Sequence, residues 1–87
     1  MANTTKILGV EATLTGTASN VGSAQLVRIH NTGSGVALIT IKSGSDAVGS
    51  FTMVTGEVLN LQKAAAETIE KTSGTGVPKV VQIGFTN

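Results

Sequence analysis

The stretch VRIHNTGSGVALITI, residues 27–41, decides the reading of the fold. It holds the chain's sole arginine and sole histidine, then a glycine-bearing turn, then an apolar run. Val27 and Ile29 fall on one face of the first half, with Leu26, Arg28 and His30 on the other, the two-residue period of a strand. Asn31-Thr32-Gly33-Ser34-Gly35 offers residues that tolerate positive φ and reads as a hairpin turn. In the second half Ala37, Ile39 and Ile41 share one face and Val36, Leu38 and Thr40 the other. Both faces are largely apolar, which places this strand at the centre of a sheet.

The pattern extends in both directions. Residues 5–15, TKILGVEATLT, alternate, with Leu8, Val10, Ala12 and Leu14 on one face. GTASNVGS (16–23) reads as a polar loop and SGSDAVG (43–49) as another. SFTMVT (50–55) and EVLNLQK (57–63) read as strands, the second with Leu59 and Leu61 inward. In KAAAETIEK (63–71) the alanines favour helix by propensity. A helical turn at Lys63–Ala66 and a strand from Glu67 to Thr72 are expected, a full helix over 62–71 being the alternative. SGTG (73–76) is a turn, and VPKVVQIGFT (77–86) is the last strand, with Pro78 at its start and Val81, Ile83 and Phe85 on one face. Seven strands in one short chain predict an all-β domain over residues 1–87. The expected form is an antiparallel β-sandwich, Ig-like or jelly-roll-like, with a short N-terminal arm.

Composition narrows the functions. The chain of 87 residues has no cysteine, no Trp and no Tyr, and its aromatic side chains are Phe51 and Phe85. The core must be built from small aliphatic side chains without disulfide staples, so association with other chains is the expected source of added stability. Six basic residues face five acidic ones, and Lys6, Arg28, Lys42, Lys63, Lys71 and Lys79 are scattered. Nucleic-acid binding needs several cations on one face, and neither nucleic acid nor a membrane surface is an expected partner. MANTTKILGVEA lacks the apolar stretch of a signal peptide, so a soluble product made in the cytoplasm is expected. The Asn3-Thr4-Thr5 glycosylation pattern then has no role.

The candidates for chemistry are weak. His30 has no nucleophile or orienting carboxylate in a recognisable motif and reads as a strand-end histidine beside a turn. GSG (33–35) and GTG (74–76) lack the third glycine, the following helix or the GK[ST] ending of phosphate-binding loops and read as turns. Glu67 and Glu70 form no distinctive acid–base pair, and the SGSD loop carries too few hard ligands for calcium. No catalytic residue, cofactor or metal is expected. Arg28, mid-strand among apolar neighbours, is a candidate interface residue.

The order of parts, V-R-[IV]-x-N leading to T-G-[SA] and an apolar strand, resembles the first hairpin of small structural proteins in tailed bacteriophage virions. TGEVLNLQK (55–63), ETIEKTS (67–73) and the terminal KVVQIGFTN (79–87) are similar to later segments of that family. AAAE (64–67) departs from it, where a Pro- or Asp-containing turn is expected. The resemblance implies a β-sandwich decorating the capsid, a homo-oligomer (a trimer) that clamps adjacent subunits of the major capsid protein at the virion surface. It implies no catalytic residues. The expected contact residues are the arm Ala2, Asn3, Thr4, Thr5 and Lys6, the turn Asn31, Thr32, Gly33, Ser34 and Gly35, and Arg28. The rival reading is a tail, neck or fibre component, or a host-surface-binding module, which the scarcity of aromatic side chains disfavours for glycans.

Overall fold

The computed structural model describes residues 4–86 and is all-β, with no helix among them. Eight strands follow in order: β1 (Thr4–Ile7), β2 (Ala12–Thr13), β3 (Leu26–Asn31), β4 (Ala37–Ser43), β5 (Asp46–Met53), β6 (Val58–Gln62), β7 (Thr68–Gly74) and β8 (Pro78–Thr86). They form two antiparallel sheets. One runs β1-β8-β3-β6, with β2 also on β8, and the other runs β5-β4-β7. One apolar cluster joins them. Val27, Ile29 and Val80 reach it from the first sheet, and Ala37, Ile39, Met53 and Ile69 from the second.

The period-two reading of residues 26–41 holds. Val27, Ile29, Ala37 and Ile39 are fully buried, and β4 is the central strand of its sheet. The turn between them is different. β3 pairs with β6 and β8, and β4 with β5 and β7, so Asn31–Gly35 is a crossover between sheets and not a hairpin. The two apolar faces oppose each other across the core instead of lying side by side. The hairpin is β4–β5, where residues 43–49 had read as a loop. Ser43 and Asp46 close a two-residue turn whose first central residue, Gly44, has φ 64°, as a type II′ turn requires.

Two further expectations are corrected. The first strand does not run unbroken over 5–15. Ile7 pairs with Ile83 but Ala12 with Val80, so residues 8–11 insert two extra positions opposite β8. The period is lost there: Leu8 and Val10 are exposed and Leu14 alone of that face is buried. The seven expected strands thus become eight. The helical turn at 63–66 is instead a β-turn, Glu67 N–H donating to the Ala64 carbonyl at 3.0 Å. The Glu67 carboxylate accepts the Ala64 N–H at 2.7 Å, the service an Asp gives in other turns. Helix propensity yields because β6 and β7 lie in opposite sheets and five residues must span the gap.

Sheet edges are treated unequally. Beyond β7 the chain lays down residues 15–19, with Ser19 and Ile69 exchanging N–H···O bonds at 3.0 and 2.8 Å and Lys71 N–H donating to Thr15 O. That segment shields an edge that would otherwise template aggregation.

Lys63, at the end of β6, is only 5 % exposed, and its Nζ donates to the Ala64 and Ala65 carbonyls at 3.2 and 3.4 Å. Burial lowers its pKa below the ordinary lysine value, and the Glu67 carboxylate partly offsets this. Between the lowered and the ordinary value the unfolded chain binds more protons, so stability rises with pH across that window. Below it, the buried charge is a constant cost. Lys63→Met is therefore expected to raise stability at neutral pH by at most about 1 kcal/mol, and the gain should shrink as pH climbs towards the ordinary lysine pKa. Thermal unfolding at several pH values checks it. A lower midpoint for the variant at pH 7 would mean that the carbonyl bonds outweigh desolvation.

Candidate functional site

The end of the sandwich where β3, β5 and β7 finish, and β4, β6 and β8 begin, brings three connections together. Two of them echo each other in sequence: Gly33-Ser34-Gly35-Val36 and Gly74-Thr75-Gly76-Val77. They pack against one another backbone to backbone. A Cβ on Gly33 would lie 2.5 Å from Val77 N, and one on Gly76 2.8 Å from Gly35 O. Cβ atoms on Gly35 and Gly74 would collide with Thr75 and with the Val36 carbonyl. Hydrogen bonds tie the loops down: Thr32 N–H donates to Val77 O at 2.9 Å and Gly76 N–H to Val36 O at 2.9 Å.

Asn31 pins this end from within. It is fully buried, and its Nδ2 faces the carbonyls of Gly35, Met53 and Val54 at 3.0, 3.1 and 3.2 Å. Its own N–H donates to Glu57 O, and its carbonyl accepts from Gly56 N–H. One side chain thus joins the end of β3 in one sheet to the end of β5 in the other. Its Oδ1 is buried with no hydrogen-bond donor among the described residues, and a Cβ on Gly76 would stand 2.5 Å from it.

The surface above this scaffold is apolar and almost uncharged. Val36, Val54 and Val77 are 50, 58 and 37 % exposed, among Thr32, Ser34 and Thr55. Glu57 is the nearby acid, and its carboxylate is occupied by the Val54 N–H at 3.0 Å. Beside Val77 a hollow of about 250 Å³ opens between Leu14, Thr15 and Lys71. A stiff apolar end with an adjoining hollow can bury area against a partner while losing little conformational freedom.

The expected contact residues divide. Thr32, Gly33, Ser34 and Gly35 belong to this end. Asn31 does not contribute surface; it is an interior group, because the chain must cross between sheets at that point. Ala2 and Asn3 lie outside the described residues. Thr4, Thr5 and Lys6 are not a free arm: they form β1, paired with Thr86, Phe85 and Gly84 of β8. Arg28 lies apart, in mid-β3, and its Nη1 is 3.4 Å from Glu11 Oε2 in the inserted segment 8–11. Val36, Val54 and Val77 escaped the reading because each looks like an ordinary strand residue. The signal available was a valine directly after a glycine turn at Val36 and Val77, with Val54 two residues before Gly56.

Among the described residues nothing at this end makes a reactive constellation. His30 sits opposite Val58 and Lys79 on the outer face. Glu70 pairs with Lys42 at 2.8 Å, and Glu67 is held in its turn. Among the described residues no group of three or more His, Cys, Asp or Glu is placed to hold a metal ion. No protein-family model matches the chain, and neither a curated protein nor a solved structure matches it.

Proposed function

We propose that this protein is a structural component of a tailed-bacteriophage virion, a decoration protein that stabilises the head by binding major capsid subunits. The observation that carries the reading is the stiff, sparsely charged end bearing Val36, Val54 and Val77. Interface centres are depleted of charge and rich in buried apolar contact, and a surface held by interlocked backbones binds without first being ordered. The resemblance of residues 27–41 and of the later segments to small virion proteins supplies the partner. The mechanism is burial of area at capsomer junctions, where standard interfaces cover roughly 1,200–2,000 Å². A homo-trimer presents three such ends at once, and linked contacts multiply the affinity of each.

Cosedimentation with undecorated heads, and separately with purified tails, tests this. Saturable binding to heads is expected. Replacing Val36 and Val54 together by Asp should weaken it at least tenfold while leaving the thermal midpoint within a few degrees, since both side chains are exposed. Binding to tails with none to heads would overturn the head assignment and favour a tail or neck component.

A further inference from the structure

At the opposite end of the sandwich a shallow cavity of about 520 Å³, open to solvent, is lined by Ser23, Gln25, Leu26, Gln62, Gln82 and Ile83. Its size falls in the roughly 300–1,000 Å³ range of small-molecule sites. The chain contains three glutamines, and all three line this one cavity. They come from the approach to β3 and from β6 and β8, segments far apart in sequence. Among the described residues none of the three carboxamides is hydrogen-bonded to the protein, and each carries an N–H donor pair and a carbonyl acceptor. Among the described residues no ionisable side chain lines the cavity, and Leu26 gives it an aliphatic wall above the nearly buried Ile83.

The rim carries backbone strain. Val21, Gly22 and Ser23 have φ of 54°, 66° and 59°, three successive left-handed residues. That conformation is strained for each non-glycine residue and is worst for a β-branched one such as Val21. The Asn20 side chain holds the turn by accepting the Ser23 N–H at 3.3 Å, and a Cβ on Gly22 would stand 3.8 Å from Gln82 Oε1. Ser23 is thereby delivered to the cavity beside Gln82 at an energetic cost to the fold.

We propose that this cavity is a binding site for a neutral saccharide. A sugar ring presents hydroxyls that both donate and accept around its rim and C–H groups on its faces. Carboxamides answer the first because each also donates and accepts, and Leu26 answers the second, an aliphatic face in place of the aromatic one this chain does not supply. Among the described lining residues an anionic or cationic ligand finds no counter-charge. The site is independent of the valine-bearing end. If the protein coats a head in many copies, the weak affinity of each copy becomes avidity for a glycan surface, a consequence that alone rests on the decoration reading.

The test uses the whole, uniformly ¹⁵N-labelled protein, which reports each glutamine side-chain N–H₂ directly. Glucose, galactose, N-acetylglucosamine and maltose are titrated to about 50 mM, well above the millimolar affinities of weak sites. At least one is expected to shift the Gln25, Gln62 and Gln82 side-chain signals together, with the Ser23 amide, and to leave Val36, Val54 and Val77 unmoved. Gln62→Ala, at an exposed position, should weaken that binding about tenfold with an unchanged thermal midpoint. If no sugar moves these signals, the proposal is overturned. It is equally overturned if an uncharged asparagine-containing tripeptide moves them and no sugar does. Neither result touches the cosedimentation test.

Discussion

Asn31→Asp is expected to remove about 3–5 kcal/mol of stability at neutral pH, a large share of the total, and to be partly rescued by acid. The substitution is nearly isosteric, so packing is not the cause. Where Nδ2 donates towards Gly35 O, Met53 O and Val54 O, a carboxylate oxygen would face three acceptors in a fully buried site. An uncompensated buried charge costs about 3–5 kcal/mol. For 87 residues the whole stability is of the order of 4–13 kcal/mol. The buried acid's folded-state pKa must rise above its unfolded value near 3.9, because burial and the carbonyls both favour the protonated form. Folded protein then binds the extra proton, so stability is greatest below the unfolded pKa and is lost as pH climbs through the raised one. Urea unfolding from about pH 3 to 7 should show the variant's midpoint falling with pH relative to the parent. An unchanged midpoint at pH 7 would mean that Asn31 does not rivet the two sheets.

Gly76→Ala is the second large loss. The new methyl would stand 2.5 Å from Asn31 Oδ1, 2.8 Å from Asn31 Nδ2 and 2.8 Å from the Gly35 carbonyl. Neither neighbour is the free end of a flexible chain: one is pinned in the core, the other is backbone. Overpacking of this kind costs about 3 kcal/mol, and parting the two G-x-G-V loops would add the loss of the Gly76 N–H bond to Val36 O. Gly56→Ala is the control. Gly56 has φ 82° with nothing within 4 Å of a Cβ, so its substitution meets strain without a clash and should cost about 1–2 kcal/mol. Denaturant unfolding of the two variants separates close approach from backbone conformation. Equal losses would refute the interlocking of the loops.

These two residues also mark where sequence reasoning stopped. The alternation around Val27, Ile29, Ala37 and Ile39 reveals which side chains share a face, and the faces were legible. Whether the next strand pairs alongside or crosses the core is not a local property. It was decided by β6 and β8 taking both edges of β3, and those strands lie tens of residues downstream. The Gly44–Ser45 hairpin was signalled by its Gly-Ser pair, but the polar run around it read as loop. Ala64–Ala66 shows propensity yielding to topology, since a helix there would not span the sheets. The contact end was half legible. Its glycine loops were recognisable as turns, and their echo of one another was in plain view. That they interlock, and that Asn31 sits beneath them instead of above, depends on packing. The cavity was illegible, because three lone glutamines have no spacing that distinguishes them from surface residues.

Electron microscopy of undecorated heads mixed with the purified protein tests the central claim most directly. The account predicts saturable added density at capsomer junctions, with the Val36, Val54 and Val77 end seated on the shell and the glutamine-lined end facing outward. Bare heads at saturating protein, or density seated through the glutamine-lined end, would contradict it.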